Sequence, residues 1–212
     1  MNGHYFIAGV TGSGKSYTEV LLINHLQSQD VDMIICDPKG TELMEYEGTK
    51  NCIRYEAEED GILRALQFAR VTMDCRFREM RQRREKVYSG RAVYVIVDEA
   101  GWIGDISNKQ DRLEALDALY AISFRGRAAK VFLMLATQRG TADVLPRKIL
   151  INLDNKICLR QDKPIDSREI IGITDACKLP RIGWCYLKMP DYEGKPRKVW
   201  VDDIVDYVEG RK

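Results

Sequence analysis

Short, continuous runs of apolar residues recur along the chain and alternate with longer segments of helical periodicity. The runs are expected to be strands and cover residues 5–8, 33–36, 51–55, 93–97, 131–136 and 156–159. Continuous apolar runs of this length are typical of parallel strands that are covered on both faces. Two later runs, residues 184–189 and 199–201, predict an antiparallel hairpin at a sheet edge.

Three intervening segments repeat apolar residues at the spacing of an amphipathic helix. They cover residues 16–29, 60–86 and 110–124. Strands that alternate with helices indicate an α/β protein with a mainly parallel central sheet flanked by helices. No linker rich in Pro, Gly or Ser interrupts the 212 residues, so we expect a single domain over residues 1–212.

Charge and cysteine usage narrow the class of protein. The 33 basic and 32 acidic residues give a formal net charge of +1, which excludes a generally basic coat but leaves room for a focused basic channel. The six cysteines form no C-x-x-C pair and only two histidines occur, which argues against a structural zinc site. No secretory signal pattern and no run long enough to span a membrane is found, so a reducing, cytoplasmic location is expected.

The first predicted strand leads directly into the sequence GVTGSGKS, residues 9–16. This is the form G-x-x-x-x-G-K-S, placed between a strand and a helix as a phosphate-binding loop requires. Lys15 is expected to reach the β- and γ-phosphates, and Ser16 to ligate Mg²⁺. The residues predicted to bind the nucleotide are Gly9, Thr11, Gly12, Ser13, Gly14, Lys15, Ser16 and Tyr17.

A second half of the site is predicted where the apolar run of VYVIVDEA ends in Asp98 and Glu99. Carboxylates at the carboxyl end of a buried strand lie at the ligand-binding edge of such a sheet. Asp98 is expected to hold Mg²⁺ through a water molecule, and Glu99 to polarise the water that attacks the γ-phosphate. ATP is the expected nucleotide.

The run at residues 131–136 is followed by Thr137 and Gln138 and preceded by Arg125 and Arg127. Gln138 is placed to contact the γ-phosphate or the attacking water. The two arginines precede the strand, so they are expected at the opposite edge of the sheet, out of reach of their own site. An arginine supplied to a neighbouring subunit stabilises transition-state charge, which favours a head-to-tail oligomer.

Several motifs together resemble the motor domain of the FtsK/SpoIIIE DNA translocases, which are P-loop NTPases of RecA-like fold. The matching stretches, in the family's order, are GVTGSGKS, CDPKGTEL, YVIVDEA, GRAAKVFLMLATQR, VLPRKILIN and DSREIIG. They extend over nearly the whole chain. The resemblance implies a homo-oligomeric ring, expected to be a hexamer, that uses ATP to pump double-stranded DNA through its centre.

The same resemblance assigns roles to individual residues. The family's trans-acting arginine falls on Arg127, and its DNA-contacting basic residues fall on Arg139 and Arg168 and close to Lys163. The family often has a lysine two residues before Asn152, where this chain has Leu150. Lys148 and Arg147 lie close by and are the candidate substitutes for that DNA contact.

The 212 residues hold no counterpart of the family's membrane segments or winged-helix domain. That favours a bare motor of a phage, virus or mobile element, acting with a membrane channel or capsid. Two alternatives stay open: a coupling ATPase for conjugation or protein secretion, and a non-translocating ATP-dependent phage assembly factor. The arginine-rich residues 75–86 fit either DNA contact or a solvated helix face, and Lys39 either the site or an ordinary turn. The tryptophans are interpreted first as packing residues: Trp102, Trp184 and Trp200.

Overall fold

A computed structural model of the protein describes residues 1–138, 145–193 and 195–212. The strands of this part of the chain are β1 (Tyr5–Ala8), β2 (Val31–Cys36), β3 (Cys52–Glu56), β4 (Ala92–Val97), β5 (Val131–Thr137), β6 (Asn155–Cys158), β7 (Trp184–Lys188) and β8 (Arg197–Trp200). Its α-helices are α1 (Lys15–Gln27), α2 (Glu59–Arg83), α3 (Trp102–Asp105), α4 (Lys109–Arg125), α5 (Arg147–Leu150), α6 (Pro164–Ile171) and α7 (Ile204–Val208).

The eight strands form one sheet in the order β3-β2-β4-β5-β1-β6-β7-β8. The strands from β3 to β6 pair in parallel, and β7 and β8 add an antiparallel hairpin beside β6. Because β1, β4, β5 and β6 run in the same direction, the segments that follow them all leave at one edge of the sheet. This carboxyl edge carries the phosphate-binding loop after β1, the Asp98–Glu99 pair after β4, and Gln138 after β5.

Alternating residues of the central strands feed two apolar layers, one on each face of the sheet. In β4, Val93, Val95 and Val97 pack with α2 and α4, whereas Tyr94 and Ile96 pack on the opposite face with α1 and the C-terminal helix α7. β5 is buried along all seven residues. Burial on both faces explains why the sequences of the central strands are continuous apolar runs rather than alternating apolar and polar residues.

The predicted elements are confirmed, with boundaries shifted by up to three residues at each end. The α/β class, the mainly parallel sheet and the C-terminal edge hairpin are confirmed as well. The short helices α3, α5, α6 and α7 were not predicted, because four to eight residues are too few for a helical period to stand out. None of the helices described is long and apolar enough to cross a membrane.

Candidate active site

The loop between β1 and α1 wraps tightly at the carboxyl edge of the sheet. Gly9 N–H donates to the Thr137 carbonyl (3.2 Å) and Val10 N–H to the Arg160 carbonyl (3.1 Å), so the loop is fixed to the ends of β5 and β6. A Cβ on Gly9 would lie 2.4 Å from the Ser13 hydroxyl oxygen, which only glycine avoids. α1 begins at Lys15 without a side-chain N-cap, so the N–H groups of its first turn face the loop for an anion to accept.

Lys15 points beneath this loop and is paired with two buried carboxylates. Its Nζ donates to Glu19 Oε2 at 2.8 Å and to Asp98 Oδ1. Burial alone would lower the pKa of Lys15, but the charges and hydrogen bonds of Glu19 and Asp98 raise it above its ordinary value. Burial raises the pKa of Glu19, and the charge of Lys15 opposes that shift. The lysine is therefore a fully charged cation held by the protein's own acids.

Asp98 and Ser16 fit the divalent cation that accompanies a nucleoside triphosphate. Asp98 is fully buried, and its Oδ2 has no hydrogen-bond partner within the described residues. A carboxylate and a hydroxyl are hard oxygen ligands, and Mg²⁺ in phosphate sites takes one or two protein ligands of this kind beside phosphate oxygens and waters. No cluster of three or more His, Cys, Asp or Glu suited to a metal occurs in the described ranges, so no separate metal centre is visible there.

Glu99 is held next to Asp98 in an unusual backbone conformation. Its φ is +55°, a left-handed value that costs a non-glycine residue energy and recurs at functional sites. Its carboxylate accepts a hydrogen bond from the Thr137 hydroxyl (3.1 Å) and from the Gln138 backbone N–H (3.2 Å). The strained turn after β4 thus places this acid at the carboxyl end of β5.

A cleft of about 480 Å³ opens in front of these groups. It is lined by Thr11, Pro38, Lys39, Glu99, Trp102, Asp105 and Gln138. The Thr11 hydroxyl donates to Gln138 Oε1 (2.9 Å), so the loop and the end of β5 meet across the cleft. Lys39, on the turn after β2, brings its Nζ to 4.0 Å from Asp98 Oδ2.

The structure brings together Lys15, Asp98, Glu99, Gln138 and the loop residues, as the sequence predicted. Arg127 lies elsewhere, in the turn between α4 and β5, at the amino edge of the sheet. It is exposed and pairs with Asp154, which precedes β6. Arg125 instead pairs with Asp74 (3.1 Å) and stacks on the Phe77 ring of α2.

The residues matched to DNA contacts lie on different elements. Lys148 belongs to α5, before β6, and its Nζ lies 4.5 Å from the centre of the Tyr120 ring. Lys163 is the N-cap residue of α6, after β6, and Arg168 lies within α6. All three are exposed. Arg139 lies outside the described residues.

Sequence reasoning missed Glu19 and left Lys39 undecided. The proximity of Glu19 to Lys15 could have been predicted from spacing alone, because Glu19 follows Lys15 by four positions and therefore lies on the same face of α1. The burial of Glu19 could not be predicted, since in the sequence Glu19 looks like an ordinary polar residue of an amphipathic helix. Lys39 is brought to Asp98 by the pairing of β2 with β4, which no local pattern reveals.

The chain resembles known proteins in both sequence and fold. The model of the FtsK/SpoIIIE family matches residues 1–182. The chain is 30% identical over 221 residues to the DNA translocase FtsK of Corynebacterium glutamicum, covering 92% of this chain and 24% of that protein. It is 28% identical over 239 residues to the DNA translocase FtsK of Listeria monocytogenes, covering 97% of this chain and 31% of that one. The chain thus spans about a quarter to a third of the relatives it matches.

Solved structures share the fold at lower identity. The monomer form of the conjugation coupling protein TcpA of pCW3, determined with ATPγS, superposes with a TM-score of 0.81 at 21% identity and covers 100% of this chain and 66% of TcpA. The genome packaging NTPase of Sulfolobus turreted icosahedral virus 2, in complex with AMPPCP, has a TM-score of 0.60 at 18% identity and covers 93% of this chain and 96% of the viral one. These likenesses establish a P-loop ATPase fold.

Proposed function

Because the chain belongs to the FtsK/SpoIIIE family, we propose that it is an ATP-driven motor that translocates double-stranded DNA. The observation that carries the proposal is the cleft that Thr11 of the phosphate-binding loop, Glu99 and Gln138 line together. The buried Asp98 lies next to it, 4.0 Å from the Nζ of the lining residue Lys39. A strained acid facing a phosphate loop is suited to hydrolysis rather than to binding alone.

Each residue has a distinct part in hydrolysis. Lys15 and the N–H groups of the loop bind the phosphates of ATP and neutralise their charge. Ser16 and Asp98 would hold Mg²⁺, which supplies further neutralisation of the phosphate oxygens when bound. Glu99 accepts a proton from the attacking water, and Gln138 orients that water or the γ-phosphate. The hydrogen bonds from the Thr137 hydroxyl and the Gln138 N–H hold the Glu99 carboxylate at the cleft.

We further propose that the motor works as a homo-oligomeric ring, a hexamer, in which Arg127 acts on the site of the neighbouring subunit. Its position at the amino edge supports this, because the site of its own chain lies at the carboxyl edge. An arginine provided in this way contributes about 10³–10⁵ in rate in GTPases.

DNA is proposed to contact the basic residues of the ring, namely Arg139, Lys148, Lys163 and Arg168. Their exposure, for the three that the structure describes, leaves the charges free to meet phosphates. We place the protein in the cytoplasm, where its six free cysteines stay reduced and where ATP and DNA are both present. A membrane channel or a capsid would be the partner that receives the DNA.

One assay of ATP hydrolysis, with and without duplex DNA, tests the proposal. We expect DNA to stimulate hydrolysis, and Glu99→Gln to lower turnover at least about 100-fold because the water loses its proton acceptor. Binding of ATP should change little in that variant, since Lys15 and Asp98 remain. Glu45→Gln, which neutralises an exposed acid outside the cleft, is the matched control.

The DNA arm of the assay separates the alternatives. Arg168→Ala should reduce stimulation by DNA while leaving basal hydrolysis intact. The variant loses a contact with the phosphate backbone of DNA, and the cleft does not change. Hydrolysis that ignores DNA in the wild-type protein would refute the translocase and favour a protein-handling coupling ATPase or an assembly factor. Wild-type turnover in Glu99→Gln would refute the assigned site.

A further inference from the structure

The C-terminal hairpin ends beside the phosphate-binding loop. In the sheet register Ala8 pairs with Cys158, Cys158 with Tyr186, and Trp184 with Trp200. Extending this register by two residues toward the carboxyl edge gives one row across the sheet. The row contains Val10 of the loop, Arg160, Trp184 and Trp200. The hydrogen bond from Val10 N–H to the Arg160 carbonyl shows that the register between the two segments continues past the ends of β1 and β6. The start of β7 and the end of β8 therefore flank the loop on the side away from β5 and the cleft.

Arg181, just before β7, lies directly against this loop. A Cβ built on Gly12 would stand 2.9 Å from its Nη2, so the guanidinium rests on the loop's apex, where Gly12 has a φ of +76°. Arg181 makes no hydrogen bond or ion pair within the part of the chain that the structure describes. An exposed cation that contacts a phosphate loop, with no carboxylate partner among those residues, is positioned for an anion.

Two aromatic side chains are fixed on the same side by one carboxylate. The Tyr17 hydroxyl donates to Asp202 Oδ1 (2.7 Å), and Trp200 Nε1 donates to Asp202 Oδ2 (2.9 Å). Gly183 leaves room for the Trp200 ring, because a Cβ there would lie 2.4 Å from Cη2. Trp184 packs edge-on against that ring at 5.2 Å between centroids.

These aromatic groups are held in place and yet face solvent. Tyr17 is 53% exposed and Trp200 is 40% exposed. The indole N–H of Trp200 is hydrogen-bonded and its ring packs against Gly183, yet much of its surface is exposed. A role in packing alone does not explain this combination. Tyr17, Trp200 and Asp202 form what we call the nucleoside shelf.

We propose that the nucleoside shelf binds the base and ribose of the nucleotide, and that Arg181 contacts its phosphates from the same side. This inference rests on the proposed function, because it requires the loop to hold a nucleotide. The terminal phosphate must face Glu99 and Gln138 for hydrolysis, so the nucleoside leaves the loop at its other side, where Tyr17 directly follows Ser16. Flat aromatic surfaces stack on a base, and each Asp202 oxygen has lone-pair capacity left to accept from a ribose hydroxyl.

Comparing a nucleotide with its bare phosphate chain tests the shelf. In calorimetric titrations, Trp200→Ala should raise the Kd of ADP about 10-fold, because one stacking contact is lost, and leave the Kd of inorganic tripolyphosphate within about 2-fold. Trp200→Phe should recover part of the ADP affinity. Arg181→Ala should instead weaken both ligands about equally, and Lys178→Ala, an exposed cation three residues earlier that pairs with Asp175, is the matched control.

Each result bears on one part of the argument. Trp200→Ala that leaves ADP binding unchanged, or that weakens ADP and tripolyphosphate equally, overturns the shelf. Arg181→Ala that matches Lys178→Ala overturns the contact from Arg181. Lys15→Ala that binds both ligands like the wild type would refute the phosphate site itself, which is a separate failure from that of the shelf.

Discussion

At the scale of single residues, Lys15 is the partner of two buried acids, Glu19 and Asp98, as well as the proposed ligand of the phosphates. Glu19 and Asp98 are 1% and 0% exposed, and each keeps one oxygen without a hydrogen-bond partner among the described residues. Removing one member of a buried ion pair typically costs about 3–5 kcal/mol, because the remaining charge is left uncompensated. Lys15 should therefore stabilise the fold in the absence of nucleotide.

We expect Lys15→Met to lower the free energy of unfolding by about 3 kcal/mol when no nucleotide is present, as measured by urea denaturation. Glu19→Gln should be milder, since Asp98 still pairs with the lysine. The double variant should recover part of the loss, because the neutral amide that replaces the Glu19 carboxylate needs no counter-ion. Strictly additive effects of the two substitutions would show that the Lys15–Glu19 pair does not couple.

The positions of the candidate site residues were predictable from sequence where a motif fixes both spacing and chemistry. Lys15, Ser16, Asp98 and Glu99 follow from the loop and from the acids at a strand end. Trp200 and Arg181 did not, because their place beside the loop depends on how an antiparallel hairpin pairs across the sheet edge. Local sequence around them shows an ordinary edge strand and a basic loop.

At the scale of elements, the apolar runs located the strands because burial on both faces leaves no polar positions within them.

The role of the arginine-rich end of α2 could not be predicted from such a pattern. Arg76 is only 8% exposed; its Nη1 donates to the carbonyls of Ala129 (2.9 Å) and Lys130 (3.0 Å), and its guanidinium lies 4.5 Å from the centre of the Tyr88 ring. One member of the basic cluster is therefore a structural residue that fixes the turn carrying Arg127.

Arg76→Ala should lower the free energy of unfolding by about 2–3 kcal/mol, because the buried Ala129 carbonyl and the half-buried Lys130 carbonyl lose a charged donor. Arg81→Ala, an exposed arginine on the same helix, should change it by less than about 0.5 kcal/mol. Chemical denaturation of both variants makes the comparison. Equal stabilities would mean that solvent replaces the two hydrogen bonds at no cost.

At the scale of the whole molecule, the parallel sheet separates two groups that the proposed reaction needs. Glu99 lies at the carboxyl edge beside the end of β5, and Arg127 lies in the turn before β5 begins. Seven residues of strand at about 3.3 Å each place roughly 20 Å between the two edges. A single chain therefore cannot bring Arg127 to its own Glu99, and a head-to-tail neighbour is required for the arginine to act.

Mixing two inactive variants tests this arrangement. Arg127→Ala should keep the fold and bind ATP, but it should hydrolyse ATP at least about 100-fold more slowly, because the arginine stabilises charge that develops in the transition state. A mixture with Glu99→Gln should regain measurable turnover, since some interfaces then pair an intact Glu99 with an intact Arg127. Arg125→Ala, whose side chain contacts Asp74 and Phe77 within its own chain, is the matched control and should stay close to wild type. Specific activity of the wild-type protein should rise with concentration as subunits assemble. An Arg127→Ala variant with full activity, at a rate that does not depend on concentration, would show that each chain completes its site alone.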